Sequence, residues 1–156
     1  MSVLDDASAY AKARYGFPVT GQLQTIAGAA THQVFTVAGG QVRIVMWGVC
    51  TTEMAGANGV NVQMDPTTGD TVVVATATDL GTTNTAAGTV IGAQFDQDGT
   101  TNTPGLVKGC GDLLKFVATT GEIESVITEA TADGAIQWYC RYFPLTAGAT
   151  VVAATT

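Results

Sequence analysis

From Pro18 onwards the chain is a succession of short segments rich in Val, Ile, Thr and aromatic residues, separated by clusters of Gly, Asn, Asp and Pro. β-Branched and aromatic residues favour strands, and the separating residues favour turns. This region lacks the helical repeat of apolar residues that a fold of alternating helices and strands would show. The pattern predicts about eight or nine strands in an all-β, single-domain antiparallel β-sandwich of jelly-roll type, with a closed barrel as the alternative.

Two segments, residues 41–51 and 135–143, alternate so that one face of each strand is predicted to point into the core. The residues on these two core faces are Val42, Ile44, Met46, Cys50, Ile136, Trp138, Cys140 and Tyr142. The opposite faces are also largely apolar and carry Trp47, Tyr139 and Phe143. A strand that is covered on both sides, or whose outer face meets another subunit, has this composition.

Short connections predict which strands pair. The connection 38–40 contains two glycines, which supply the positive φ of a tight turn, and it predicts a hairpin between the segments 32–37 and 41–51. The turn at residues 66–69 predicts a second hairpin. The last four strands, from Leu113 onwards, are predicted to pair as an antiparallel meander or Greek key.

Two long polar connections, residues 80–88 and 96–105, lack apolar periodicity and are predicted as loops that are available for contacts. The second begins with Asp96 and Asp98, which resemble the opening of a calcium-binding loop. The further acidic ligands of such a loop are missing from the sequence, so a plain polar loop is expected and no metal site is predicted.

The segment before Gly16 is typical of a helix. It has a capping Ser2, acidic residues in its first turn and basic residues in its last turn, and Gly16 followed by Pro18 ends it. Its apolar stripe consists of Leu4, Ala7, Ala11 and Tyr15. This stripe is too narrow to stabilise an isolated helix of about 12 residues. We therefore expect residues 1–17 to form a helical arm that packs either on the domain formed by residues 18–156 or on a neighbouring subunit.

The chain carries 6 Lys and Arg against 13 Asp and Glu, a net charge of −7, which disfavours direct binding to nucleic acid or to an anionic membrane. Two of the acidic residues, Glu122 and Glu124, are predicted on the solvated face of an edge strand. No apolar segment reaches the roughly 18 to 20 residues of a transmembrane helix. The first residues lack the basic start and apolar run of an export signal, so we expect no export.

Catalytic chemistry has little support in the sequence. His32 is the only histidine, and one histidine does not make a metal site of several histidines. A nucleophilic pairing of His32 with Ser125 or with one of the cysteines has no local motif behind it. The cysteines, Cys50, Cys110 and Cys140, are expected to be reduced core thiols, with one disulfide and a spare thiol as the alternative. The glycines do not form a phosphate-binding motif. We predict no enzyme activity, no catalytic residue and no cofactor.

The stretch 133–145, DGAIQWYCRYFPL, and the following 147–154, AGATVVAA, resemble the end of small structural proteins of tailed bacteriophages, the capsid decoration or cement proteins. Those proteins combine Gly/Thr/Ala/Val-rich strands, few charges, a Tyr-x-Pro-Leu corner, here residues 142–145, and a final apolar strand. The resemblance covers about the last 25 residues directly. It implies a β-sandwich on the outside of a mature head, often a trimer, that reinforces the shell against the pressure of the packaged DNA.

We therefore expect a virion structural protein, assembled in the host cytoplasm, that binds the major capsid protein at the outer surface of the head. It is expected to associate with itself, as a homotrimer, and to bind neither nucleic acid directly nor a membrane. The residues expected at its interfaces are Leu4, Ala11, Tyr15, Trp47, Tyr139 and Phe143. The alternative is a tail or fibre component that binds a receptor or a surface glycan through exposed aromatic side chains.

Overall fold

The computed structural model describes residues 10–94, 103–109 and 111–155. A short helix spans residues 10–15 and is followed by eleven strands in this part of the chain. The strands are β1 (Phe17–Ala27), β2 (Ala30–Ala38), β3 (Val42–Thr52), β4 (Gly59–Pro66), β5 (Val72–Asp79), β6 (Val90–Gln94), β7 (Gly105–Lys108), β8 (Leu114–Ala118), β9 (Gly121–Ile127), β10 (Asp133–Pro144) and β11 (Thr150–Ala153). This confirms the all-β prediction. In these residues no helix is long and apolar enough to cross a membrane.

The strands form one continuous, nearly closed sheet. Its order is β1-β10-β3-β6-β7-β5-β4-β9-β2-β11. The strand β8 also pairs with β3, next to the part of β3 that pairs with β6. The named strands pair antiparallel except at Thr76 and Gly105, where β5 meets β7 in parallel. The two end strands, β1 and β11, are in contact, so the sheet curls into a barrel-like shape. The finer prediction of a jelly-roll sandwich is not confirmed.

Most strands pair with partners that are distant in the chain. β4 and β5 form the predicted hairpin. The predicted hairpin of β2 and β3 is wrong, because β2 pairs with β9 and β11 whereas β3 pairs with β10, β6 and β8. Gly39 and Gly40 do have positive φ angles of 76° and 127°, but they carry the chain across the barrel. A Cβ on Gly40 would lie 2.6 Å from Cβ of Thr146, so this crossing requires a glycine.

The meander or Greek key predicted for the last four strands is also wrong, because none of β8, β9, β10 and β11 pairs with another of these four. The predicted edge position of β9 is wrong as well, because β9 lies between β4 and β2. Glu124 is only 8% exposed, and its Oε2 accepts a hydrogen bond of 2.7 Å from Nε2 of Gln63 on β4. Glu122 accepts one of 2.9 Å from the hydroxyl of Thr36 on β2. Polar side chains of both neighbouring strands thus satisfy these carboxylates, which is why β9 accepts two glutamates in the middle of a sheet.

The barrel interior is filled by the alternating residues of the long strands. All eight residues predicted to point into the core from β3 and β10 are buried, which confirms the face assignment of both strands. Cys50 and Cys140 are among them, and both thiols are free. Cys110 lies outside the described residues. Phe35, Ile123 and Leu106 extend the core towards the other side of the barrel.

At one end of the barrel a hydrogen-bonded cluster joins three connections. Asn58 is fully buried; its Nδ2 donates to Oδ1 of Asp133, and its Oδ1 accepts from the backbone N–H of Asp133. Oδ1 of Asp133 also accepts the backbone N–H groups of Ala55 and Gly56. Asp79 accepts the backbone N–H of Asn58 at 3.0 Å. The connections before β4, after β5 and before β10 are therefore held together by the buried amide of Asn58 and by the carboxylates of the half-buried Asp133 and the exposed Asp79.

Candidate interaction face

An aromatic pair lies at the centre of the outer surface of β3 and β10. Trp47 and Tyr139 are directly opposite each other in the antiparallel register. Their ring centroids are 5.8 Å apart and the ring planes differ by 15°, so the two rings are stacked. Both side chains are half-buried, because only one side of the stack is covered by the barrel. Val45 and Val49, also half-buried, flank Trp47 along β3.

Two arginines border this pair. The Arg43 guanidinium lies 4.2 Å from the ring centroid of Phe143, its neighbour in the register, which is a cation–π contact. Arg141 Nη1 donates a hydrogen bond of 3.0 Å to the carbonyl oxygen of Tyr15. We call this surface the β3–β10 face; it consists of Arg43, Val45, Trp47, Val49, Tyr139, Arg141 and Phe143.

The described part of the arm starts from this face. Gly16 joins the helix of residues 10–15 to β1 with a φ of 76°, and a Cβ there would lie 2.9 Å from the Phe143 ring. All six residues of the described helix are exposed, and Tyr10 and Tyr15 are 64% and 54% exposed. An isolated helix of about 12 residues, the length that the sequence predicts for the arm, is marginal in water, so this segment needs a surface to pack on.

The structure brings most of the predicted interface residues to one region. Tyr15, Trp47, Tyr139 and Phe143 all lie on or beside the β3–β10 face. Ala11 is exposed on the arm helix. Leu4 lies outside the described residues. Alternation along the sequence also assigns Arg43 and Arg141 to these outer faces, but the predicted interface residues did not include them.

Charge is divided between the two sides of the barrel. Strands β2, β4, β5, β9 and β11 contain no Lys or Arg. The six basic residues of the chain are in the arm or on the other side, namely Lys12, Arg14, Arg43, Lys108, Lys115 and Arg141. The outer surface of β4 and β9 consists of Asn61, Gln63, Asp65, Glu122, Glu124 and Val126, and we call it the β4–β9 face. Three strands separate the β3–β10 face from the β4–β9 face in either direction around the barrel, so the two faces point away from each other.

A groove of about 460 Å³ lies between β8 and β5, whose facing edges are not paired with each other. Val72, Val73 and Val117 line it and are 58%, 43% and 58% exposed. Because β8 pairs with β3, the groove adjoins the β3–β10 face. It is a second apolar part of the surface.

The structure also tests the pairing of His32 with Ser125. The two residues are opposite each other in the register of β2 and β9. Neither Nε2 of His32 nor Oγ of Ser125 has a hydrogen-bond partner among the described residues, and burial lowers the pKa of His32. The neighbouring carboxylate, Glu124, bonds to Gln63 on the outer surface instead of orienting the imidazole. The arrangement therefore lacks the hydrogen bonds by which a nucleophile is activated.

Within the described ranges, no group of three or more His, Cys, Asp and Glu side chains is placed to hold a metal ion. Asp96 and Asp98, the calcium-loop candidates, lie outside these ranges. No family model, curated protein or solved structure matches this chain. The β3–β10 face with the adjoining arm is the candidate site that the residues themselves define.

Proposed function

We propose that this protein is a structural component of a virion, a decoration protein that binds the outer surface of a bacteriophage head and stabilises the capsid. The observation that carries the proposal is the β3–β10 face, an aromatic and apolar surface joined to an arm helix that its own barrel leaves uncovered. The resemblance of residues 133–154 to decoration proteins also supports it. The partners in this proposal are the major capsid protein and further copies of the chain.

The physical argument starts from the uncovered surface. A protein that works inside an assembly can keep aromatic and apolar outer positions, because its neighbours cover them. Many identical sites on a shell also allow weak single contacts to hold a particle together. In this proposal the protein is a homotrimer, and its barrel is a variant of the jelly-roll-like sandwich that the sequence predicts.

The first experiment measures the copy number of the chain in purified source particles by quantitative mass spectrometry, relative to the most abundant shell protein. A decoration protein is expected in amounts comparable to the shell protein. A handful of copies per particle would contradict the decoration role and favour a tail or fibre part. Absence from the particles would contradict any structural role in the virion.

A second experiment tests the arm. Deletion of residues 1–16 is expected to weaken co-sedimentation with heads that lack the protein, because Tyr10 and Tyr15 are removed with the arm. Val152→Ser is the matched control, since Val152 is an exposed apolar residue on β11, outside the deleted segment, with 55% of its surface exposed. Unchanged native mass and unchanged binding of the deletion variant would remove the arm from the proposal.

The second candidate function is that of a tail or fibre component that binds a surface glycan. The parallel stack of Trp47 and Tyr139 favours it, because half-exposed aromatic rings are suitable surfaces for sugar rings. It predicts a few copies per particle and glycan-array binding that Trp47→Ala abolishes. Glycan binding that persists in Trp47→Ala would exclude this face as the sugar site.

A further inference from the structure

We infer that the β3–β10 face of one copy binds the β4–β9 face of a second copy, in a head-to-tail contact. This deepens the proposed function, on which it rests for the expectation of self-association, by naming the two surfaces that meet. Both surfaces belong to the same chain, so the contact can be argued and tested on this protein alone.

The first step is the charge of the two faces. Arg43 and Arg141 stand on the β3–β10 face, and no carboxylate lies within 4 Å of either guanidinium in the described part of the chain. Lys115 on the neighbouring β8 has Asp112 at 3.7 Å, so it is partly neutralised. The outer surface of β4 and β9 carries only acidic charges. Among the described residues, this separation gives each copy one face with only basic charges and one face with only acidic charges, and opposite charges attract.

The second step concerns two carboxylates on the acidic side. Asp65 on β4 and Glu122 on β9 are directly opposite each other in the register. Like charges at such a position repel each other and destabilise the strand pair. Each carboxylate accepts one hydrogen bond from a threonine, Thr71 for Asp65 and Thr36 for Glu122, but neither has a basic partner within the described residues. A guanidinium from a second copy would relieve this repulsion.

The third step is the geometry of the arginines. The Arg43 guanidinium lies over the Phe143 ring, and the Arg43 side chain is exposed at the surface of the barrel. The N–H groups at the edge of the guanidinium stay available for a carboxylate, which matches them with two parallel hydrogen bonds. Arg141 is held by one bond to Tyr15, and its other N–H groups are available in the same way. The backbone and the ring thus fix both basic groups in place before a partner binds, which lowers the entropy lost on binding.

The fourth step is the uncharged surface between the charges. Trp47, Tyr139 and the flanking valines would meet Asn61, Gln63 and Val126 at the centre of the contact. Stacked aromatic rings surrounded by charged and amide groups form the composition of a specific protein interface. Because the two faces differ and point away from each other, each copy binds one neighbour on either side, and successive contacts extend as a row of copies instead of closing the trimer that the resemblance implies.

The experiment compares two double variants by light scattering after gel filtration, at about 50 mM NaCl, where surface charges are weakly screened. R43E/R141E reverses the basic face, and D65K/E122K reverses two acids of the other face. Each variant alone is expected to have a dissociation constant for self-association raised about 100-fold or more, and to elute as a monomer where the wild type assembles. Mixing the two variants is expected to restore assembly, because each still carries one intact face and the two reversed faces are complementary in charge to each other.

Controls separate the contact from charge and folding. Lys108→Glu and Glu53→Lys reverse charges outside both faces and are expected to assemble as the wild type does. Circular dichroism and thermal unfolding show whether each variant is folded. If a charge-reversed double variant does not fold, the neutral double variant of the same face, R43Q/R141Q or D65N/E122Q, is used in its place.

The inference is overturned if the wild type stays monomeric at millimolar concentration, if either double variant assembles normally, or if the mixture stays monomeric. Shell binding is measured separately on heads that lack the protein. A monomeric wild type whose binding to heads is lost in R43E/R141E would assign the β3–β10 face to the shell, which would overturn the self-contact and leave the proposed function standing. Self-association without binding to heads would support the self-contact and contradict the proposed function.

Discussion

The indole Nε1 of Trp138 donates a hydrogen bond of 2.8 Å to Oε1 of Gln24, inside the barrel. Both side chains are buried, with 1% and 4% of their surfaces exposed. Trp138 belongs to β10 and Gln24 to β1, an end strand of the sheet. A buried indole N–H needs an acceptor, so this bond fixes β1 to the core at the place where the barrel nearly closes.

We expect Gln24→Met to destabilise the protein by about 1–3 kcal/mol, because the Trp138 N–H is then buried without an acceptor. The free energy of unfolding, measured by urea titration, checks this. Thr25→Val is the control, since Thr25 is the next residue of β1 and points outwards. A double-mutant cycle with Trp138→Phe is expected to give a coupling energy of about 1 kcal/mol. A coupling energy of zero would show that the bond contributes nothing.

The loop cluster at the end of the barrel predicts a loss of stability in acid. Hydrogen bonds from the Thr82 side chain and from the backbone of Asn58 and Gly81 lower the pKa of Asp79 well below its usual range. The pKa of Asp133 is lowered by the backbone N–H of Ala55, the Asn58 side chain and the backbone N–H of Gly56. Because both pKa values are lower in the folded state, the unfolded state takes up protons first. The stabilisation is complete above about pH 3.9, the pKa of an aspartate in the unfolded chain. It is lost as the pH falls further, through the lower pKa values that the two aspartates have in the folded protein.

Unfolding measurements between pH 5 and pH 2 test this expectation. Asp79→Asn is expected to be less stable than the wild type at pH 7 and to lose less stability on acidification, because the group that titrates is gone. Asp70→Asn is the matched control, since Asp70 lies exposed in the turn between β4 and β5. If both variants kept the wild-type pH dependence, Asp79 would not contribute to it.

The face pattern of single strands could be predicted from the sequence because alternation is a local property. β3 alternates from Val42 to Cys50 and β10 from Ile136 to Phe143, and their core faces were assigned correctly. β1 was missed because a register shift between Thr20 and Leu23 breaks its alternation. A Cβ on Gly21, within this shift, would lie 3.0 Å from Cγ1 of Val34, so the irregularity lets β1 approach β2. β7 was missed because it has only four residues.

Strand partners could not be predicted, because they depend on contacts between distant segments. The connection at Gly39 and Gly40 has the glycines of a hairpin, yet its flanking strands join opposite sides of the barrel. Prediction of the candidate site from the sequence is limited in the same way. Outward aromatic residues could be found from alternation, whereas the opposition of Asp65 and Glu122 depends on the pairing of β4 with β9. The charge separation between the two faces therefore became visible only with the strand order.

The two described cysteines are expected to be unreactive in the folded protein. Burial raises the pKa of the Cys140 thiol to about 12, so almost no thiolate is present at pH 8. Burial is also the main reason that the pKa of Cys50 is raised, and its single S–H lies within hydrogen-bonding distance of the carbonyl oxygens of Thr52 and Thr85. Peptide mapping after iodoacetamide treatment at pH 8 is expected to show both residues unmodified in buffer and both modified in urea. Rapid modification of Cys140 in buffer would contradict its burial.

Two glycines of the connection after β5 are expected to respond differently to the same substitution. A Cβ on Gly81 would overlap the carbonyl oxygen of Gly56 and lie 2.7 Å from Nδ2 of Asn58, so Gly81→Ala forces the loop cluster apart. Backbone groups cannot move aside as a flexible side chain can, and we expect a loss of about 3 kcal/mol. Gly88 has open space around the position of a Cβ but a φ of 89°, so Gly88→Ala strains only its own backbone and is expected to lose about 1 kcal/mol. Urea titration of the two variants compares them directly, and equal losses would mean that the close approach of Gly81 to Gly56 does not hold the connections together.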